Sequence, residues 1–184
     1  MSKKIQKKTA RPGSSGKTAA RSSPKTKVPI LAEGDRAPSF TLPAAGGGKV
    51  SLADFAGQNL VLFFYPRAGT PGCTTEASDF SRLSGKFDAS DTAILGVSAD
   101  PIQTVEAFQK KHLLKIPLAT DEPHSSLQKY GVWAKKSMYG KTFDGIVRTT
   151  FLIGKTGKIL KVWEKVKVPG HAEDVLSSAE ALAR

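Results

Sequence analysis

The hydrophobic residues of this chain fall into short apolar runs and amphipathic stretches that alternate along residues 31–184. The run from Asn59 to Tyr65 is rich in β-forming residues and stops at Pro66, which predicts a buried central strand. A second apolar run, from Thr92 to Val97, predicts another buried strand. Shorter strands are predicted at Phe40–Pro43, Lys49–Leu52 and Ile116–Ala119, and a hairpin at Arg148–Ile153 and Lys158–Trp163.

Helices are indicated where apolar residues recur at helical spacing. The longest predicted helix runs from about Pro71 to Phe87, with Ala77, Phe80 and Leu83 on its buried side. Further helices are predicted after Pro101 (with Val105, Phe108 and His112 on one face), over Pro123–Tyr130, and at the C terminus around Val175, Leu176, Ala179 and Leu182. This order of elements predicts an α/β fold, with a mixed central sheet flanked by helices on both faces.

Positive charge is concentrated at the start of the chain. The 184 residues suffice for one ordinary domain and carry a net charge of +12. Residues 1–30 contain nine basic residues and no acidic one, so residues 31–184 hold 19 basic and 16 acidic residues. The segment 1–30 is also poor in large apolar side chains, which predicts a basic disordered tail ahead of a domain at 31–184.

The tail is compatible with several roles. It suits a weak electrostatic contact to nucleic acid, a nuclear address, an organelle transit peptide, or a solvated segment that aids solubility. The longest apolar run, Leu60 to Tyr65, has six residues, whereas a membrane-spanning helix needs about 20. We therefore expect no membrane partner.

Cys73 is the only cysteine, which excludes an internal disulfide and a cysteine zinc cluster, and it suits a reducing compartment. It lies where a predicted strand gives way to a predicted helix. Amide groups and the helix dipole favour a thiolate at such a helix N terminus. The sulfur is either a buried small hydrophobic group or a reactive one.

The residues just before Cys73 make the reactive interpretation as plausible as the buried one. Thr70 is suited to be the N-cap, with a hydroxyl that accepts from a first-turn N–H, and Pro71 suits the first helical position. Gly72 has no side chain, so a small molecule can approach the backbone there. The run predicts one pocket that contains a nucleophile, a hydroxyl and backbone donors.

The run from Phe64 to Glu76 (Phe-Tyr-Pro-Arg-Ala-Gly-Thr-Pro-Gly-Cys-Thr-Thr-Glu) resembles the active-site signature of peroxiredoxins, and most of all the peroxiredoxin Q or bacterioferritin comigratory protein branch. Further similarity appears at Gly34–Phe40, Gly96–Asp100, Tyr130–Trp133 and Gly140–Ile153. The resemblance implies a thioredoxin-like fold. It also implies reduction of hydrogen peroxide and organic hydroperoxides without metal, haem or flavin.

The resemblance implies a role for each matching residue. Cys73 corresponds to the peroxidatic cysteine and Thr70 to the hydroxyl that contacts the peroxide. Arg148 corresponds to the active-site arginine, which would stabilise the thiolate and donate to the peroxide. Pro66 would shape the pocket, and the Gly72–Cys73 backbone would donate to the leaving oxygen. Glu76, one turn after Cys73, either orients Arg148 or caps the helix.

The chain departs from the commonest pattern of that branch at Ser78. Many members carry a resolving cysteine at this position, and others carry one in the next helix, where this chain has none. We therefore expect a one-Cys enzyme that is recycled by an external thiol, namely glutathione, glutaredoxin or thioredoxin. The resemblance also suggests a monomer. The expected location is the bacterial cytoplasm, or the nucleus or an organelle if the source is eukaryotic.

Other functions remain as alternatives. The main one is a basic-tailed, thioredoxin-like module that contacts nucleic acid or senses redox state. A cysteine hydrolase would need a histidine beside Cys73, and His112, His124 and His171 are all distant in sequence and lack metal-ligand spacing. The run Gly154-Lys155-Thr156 lacks the upstream glycine of a phosphate loop, and the absence of Cys-x-x-Cys excludes disulfide exchange of the thioredoxin type.

Overall fold

A computed structural model describes residues 29–183. The strands in chain order are β1 (Thr41–Pro43), β2 (Lys49–Ser51), β3 (Asn59–Phe64), β4 (Thr92–Ser98), β5 (Leu118–Thr120), β6 (Trp133–Met138), β7 (Lys141–Ile146), β8 (Thr149–Ile153) and β9 (Ile159–Glu164). The helices are α1 (Pro71–Ala89), α2 (Ile102–Lys111), α3 (Ser125–Lys129) and α4 (His171–Leu182), with a short 3-10 helix at Leu52–Phe55.

Five strands form the central sheet, in the order β5-β4-β3-β8-β9. Strand β3 lies in the middle, parallel to β4 and antiparallel to β8. All six of its residues are buried, because both of its edges are paired and both of its faces are covered. The register pairs Phe64 with Thr149. Arg148, the residue before Thr149, therefore lies at the end of β3 from which the chain continues to α1.

Apolar side chains of β3 alternate between two cores. Val61, Phe63 and Tyr65 pack with residues of α1, α2 and α4 on one face. Leu62 and Phe64 pack on the other face with the N-terminal strands and α3. Helices therefore lie on both faces, with three on one side and the short α3 on the other.

The sequence predicted most of these elements within a few residues. The mixed sheet with helices on both faces is confirmed, as are the long helix, the two buried strands and the hairpin that forms β8 and β9. The predicted C-terminal helix is confirmed as α4, and its last residue, Leu182, is 45% exposed.

Strands β6 and β7 were not predicted from the sequence. They pair antiparallel with each other as a separate two-stranded sheet. Their residues, Trp-Ala-Lys-Lys-Ser-Met and Lys-Thr-Phe-Asp-Gly-Ile, lack the alternation of apolar and polar residues that marks a half-buried strand. The chain pairs here through the backbone, without a continuous apolar face.

The predicted tail lies almost entirely outside the described residues. Of its 30 residues only Pro29 and Ile30 belong to the described part, where the Pro29 carbonyl contacts Gly131 and Ile30 packs against the core. Among the helices of residues 29–183, none combines the length and the apolar character needed to cross a bilayer.

Candidate active site

The loop between β3 and α1 carries the predicted site and is held at two points. The Ala68 amide donates to Asp100 Oδ2 at 2.7 Å, which ties the loop to the end of β4. The Thr70 hydroxyl donates to the Arg67 carbonyl at 2.9 Å and closes the loop on itself. These bonds fix the position at which α1 begins, and therefore the position of Cys73 in its first turn.

Cys73 is buried, with 1% of its surface exposed. A purely apolar environment would favour an inert thiol, but a cation lies beside the sulfur. The Nη2 atom of Arg148 is 3.4 Å from Cys73 Sγ. A Cβ on Gly72 would lie 3.2 Å from the same nitrogen, so the glycine leaves room for the guanidinium. The sulfur therefore has the electropositive surroundings of a reactive cysteine.

Two backbone donors at the start of α1 are free within residues 29–183. Pro71 has no N–H, and the Thr74 amide donates to the Thr70 carbonyl at 2.9 Å. The amides of Gly72 and Cys73 have no acceptor among the described residues. Free first-turn amides are the groups that bind an anion at a helix N terminus, so negative charge that develops near Cys73 would find donors there.

Arg148 is placed by the sheet and by its own backbone. It directly precedes β8, and its carbonyl accepts from the Val166 amide at 3.0 Å. The Nη1 atom of the guanidinium pairs with Glu76, and the Nη2 atom faces Cys73. Burial by itself would lower the pKa of Arg148, but Glu76 and Cys73 raise it above its ordinary value. The group remains a permanent cation.

Thr70 differs in one respect from the sequence interpretation. It is the N-cap residue of α1 as predicted, but its side chain makes no capping hydrogen bond. Its hydroxyl turns back to Arg67 because that carbonyl is within reach in the tight loop. The hydroxyl proton is therefore used within the loop, and the oxygen lone pairs remain available as acceptors. Pro66 is partly exposed and starts the same loop.

Glu76 pairs with Arg148, as one of the two sequence alternatives proposed. It is 1% exposed, and its Oε1 has no partner among the described residues. Burial raises the pKa of Glu76 to about 7, against the lowering influence of Arg148. The carboxyl thus changes charge near neutral pH, beside the guanidinium that faces the sulfur.

Glu76 should make stability depend on pH between about 4.5 and about 7. The pKa of Glu76 is raised from 4.5 to about 7 in the folded state. Its stabilisation of the folded state is therefore fully present below pH 4.5 and is lost as pH rises through about 7. The free energy of unfolding should therefore fall across this window relative to the Glu76→Gln variant, by on the order of a few kcal/mol. Urea unfolding of both proteins at several pH values measures this difference, and a constant difference would contradict it.

Two residues near the site were not found from the sequence. Tyr65 is fully buried, its hydroxyl lacks a partner among the described residues, and burial raises its pKa. Lys136 of β6 is partly buried, and its pKa is lowered by burial and by Arg148 while Cys73 raises it. Tyr65 belongs to the run that resembles the family signature, but it was interpreted only as part of a strand. Lys136 could not be assigned to the site from the sequence because its strand was not predicted.

None of the three histidines forms a hydrogen bond to the Cys73 sulfur within the described part of the chain. His171 begins α4, with its Nε2 at 2.8 Å from the Thr150 hydroxyl, and burial lowers its pKa to about 4. His124 stacks on Trp133, and His112 follows α2. Within residues 29–183 only Arg148 contributes a side-chain hydrogen bond to Cys73. A Cys–His hydrolase arrangement is therefore not formed by the described residues.

A lone cysteine at a helix start, faced by a guanidinium and by free amides on a mixed sheet, defines a thiol-based redox site. Comparison with known proteins identifies the family. The AhpC/TSA family profile matches residues 33–162. Peroxiredoxin Bcp of Escherichia coli is 41% identical over 147 residues, which cover 80% of this chain and 94% of that protein. Peroxiredoxin Bcp of Bacillus subtilis is 40% identical over 150 residues, or 82% and 96% of the two chains.

Solved structures agree with these relatives. The bacterioferritin comigratory protein of Xanthomonas campestris superimposes with a TM-score of 0.75 at 40% identity, covering 79% of this chain and 92% of that one. PrxQ of Xylella fastidiosa gives a TM-score of 0.79 at 37% identity, covering 84% and 98%. The chain therefore belongs to the AhpC/TSA family, and its fold is thioredoxin-like. It is a thiol-dependent peroxidase, which takes a hydroperoxide as substrate and a thiol as reductant.

Proposed function

We propose that this chain is a one-Cys peroxiredoxin in which Cys73 attacks the peroxide and an external thiol completes the cycle. The observation that supports this most strongly is the Cys73 sulfur at 3.4 Å from Arg148 Nη2, at a helix start with free amides. The thiolate attacks one oxygen of the hydroperoxide and the O–O bond breaks. The sulfur becomes a sulfenic acid, and the second oxygen leaves as hydroxide or alkoxide, which takes a proton from solvent to give water or an alcohol.

The surrounding groups support the transition state. Negative charge moves from sulfur to the leaving oxygen as the O–O bond breaks. The amides of Gly72 and Cys73 and the guanidinium of Arg148 are donors aimed at that region, where burial strengthens their effect. The Thr70 hydroxyl donates its hydrogen bond to the Arg67 carbonyl, so its oxygen can accept a hydrogen bond from the peroxide hydroxyl and orient the substrate. Pro66 shapes the outer wall, and Glu76 orients Arg148.

The sulfenic acid needs a second thiol from outside the chain. The position five residues after Cys73 is Ser78, on α1, and the full sequence contains no other cysteine. Condensation of the sulfenic acid with an external thiol gives a mixed disulfide and water, and a further thiol releases Cys73. Glutathione, glutaredoxin and thioredoxin are the candidate donors.

Trapping the intermediate tests this proposal. After one equivalent of hydrogen peroxide, dimedone should add to Cys73, and mass spectrometry should locate the adduct there. Before any thiol is added, peroxide consumption should stay stoichiometric with the protein rather than catalytic, because no internal thiol can regenerate the sulfur. Continued consumption without a reductant would contradict the one-Cys cycle.

We also propose roles for the parts of the chain that the site does not explain. The basic segment 1–30 supports weak, salt-sensitive contact with nucleic acid, since nine positive charges without an acidic residue suit a phosphate backbone. The enzyme acts as a monomer in the bacterial cytoplasm, which fits its bacterial relatives and its single unpaired thiol. Loss of DNA binding on removal of the tail, with activity retained, would distinguish the two roles.

A further inference from the structure

The hairpin of β6 and β7, residues 133–146, leaves the fold beside the site. Its base is closed by the Val147 amide, which donates to the Val132 carbonyl at 2.8 Å. Arg148, the cation next to Cys73, follows two residues after the end of β7. The base of this hairpin, which we call the basic hairpin, therefore lies next to the residue that faces Cys73.

The basic hairpin carries an excess of positive charge. It contains one carboxylate, Asp144, and three lysines, Lys135, Lys136 and Lys141. None of these lysines forms a salt bridge with another residue of the described chain, even though Lys135 is directly opposite Asp144. Burial lowers the pKa of Lys136, and the positive charge of Arg148 lowers it further, while Cys73 raises it. An anion between these cations would relieve the repulsion.

One face of the basic hairpin combines this charge with an apolar surface. Lys136 is paired with Phe143 across the two strands. A Cβ on Gly145 would lie 3.6 Å from both the Lys136 stem and the Phe143 ring, so both side chains lie over the glycine. Phe143 is 45% exposed. The face offers an ammonium group beside a methylene stem and an aromatic ring.

We propose that this face, Lys136 with Phe143 over Gly145, binds the external reductant, and that the reductant is a small thiol that carries carboxylates. The inference rests on the proposed one-Cys cycle. A carboxylate pairs with the Lys136 ammonium while the thiol reaches the oxidised Cys73 beside Arg148. Cys73 is 1% exposed, so any incoming thiol needs some opening at the start of α1, and a small thiol needs a smaller one than a protein thiol does.

The bound thiol reacts in two balanced steps. Its sulfur forms a bond to the Cys73 sulfur as the S–O bond of the sulfenic acid breaks, and the thiol proton leaves with that oxygen as water. The Cys73 sulfur is reduced and the thiol sulfur is oxidised. A second molecule of the same thiol then forms a disulfide bond with the first, and Cys73 is released as a thiolate.

The test separates the two half-reactions. Cys73 is first oxidised with one equivalent of hydrogen peroxide, and the loss of the sulfenic acid is then followed with glutathione, which carries a net negative charge, or with neutral 2-mercaptoethanol. With the unaltered protein, the glutathione rate should fall as salt rises and the 2-mercaptoethanol rate should not. Lys136→Gln should slow the glutathione step about tenfold and leave the 2-mercaptoethanol step unchanged.

Two further variants complete the design. Lys129→Gln removes the same charge from an exposed site on α3, which packs on the face of the sheet opposite Cys73, and should change neither rate. Lys136→Arg keeps the charge and should retain the glutathione rate. An equal loss with both thiols, an equal loss in Lys129→Gln, or reduction only by a thioredoxin-class protein would overturn the proposal. Failure of the proposed cycle itself would appear earlier, as the absence of a sulfenic acid before any thiol is added.

Discussion

Replacing Cys73 by serine is expected to abolish peroxide reduction, with a loss of at least about a thousandfold in turnover. A serine hydroxyl is not ionised at neutral pH, and its oxygen cannot accept a second oxygen as sulfur does. The substitution is close to isosteric, and the hydroxyl would retain Arg148 as a neighbour, so the fold should survive. Peroxide consumption with a thiol present, together with circular dichroism, measures both results.

The matched control for this variant removes the tail. Residues 1–28 are deleted, and Pro29 and Ile30 are kept because they contact Gly131 and the core. This truncated protein should keep full peroxidase activity while losing any salt-sensitive binding to DNA. Turnover that persists in Cys73→Ser, or that disappears with the tail, would favour the alternative of a nucleic-acid-contacting or redox-sensing module over the enzyme.

Replacing Arg148 by alanine is the second large effect. The variant loses the donor at 3.4 Å from the sulfur, and with it the positive charge that stabilises both the thiolate and the leaving oxygen. Removal of one such donor typically costs about a hundredfold to a thousandfold in rate, and we expect that loss in the oxidation of Cys73. Stopped-flow measurement with one equivalent of peroxide gives the rate directly.

Arg148→Ala also leaves Glu76 buried without its partner, which complicates the interpretation. A buried carboxylate that has lost its cation is destabilising unless it takes up a proton. The double variant Arg148→Ala with Glu76→Gln removes that charge and should restore stability but not the oxidation rate. If the double variant recovered the rate, Arg148 would act only by neutralising Glu76. An unchanged rate in the single variant would remove Arg148 from the site.

The local part of the site could be predicted from the sequence. Strand β3, the helix that starts at Pro71, and the place of Cys73 in the first turn follow from short-range rules about apolar runs and helix caps. The orientation of the Thr70 hydroxyl could not be predicted in the same way. Its choice of the Arg67 carbonyl depends on the loop shape, which the distant Asp100 helps to fix.

The family resemblance implied Arg148, but nothing in its residue type or spacing places a strand arginine beside Cys73. It meets Cys73 only because β8 pairs antiparallel with β3, across 75 positions of sequence. The same long-range pairing buries Glu76 beside it and raises the pKa of that carboxyl, an effect that no local pattern contains.

By itself the sequence determined the α/β class, the single reactive sulfur at a helix start and the need for an outside thiol, because these depend on neighbours in the chain or on a count of cysteines. The tertiary structure alone decided which groups surround that sulfur and which lysine lies near it. The charges of these groups act through space, and the distances between them and the sulfur are set by strand register rather than by sequence spacing.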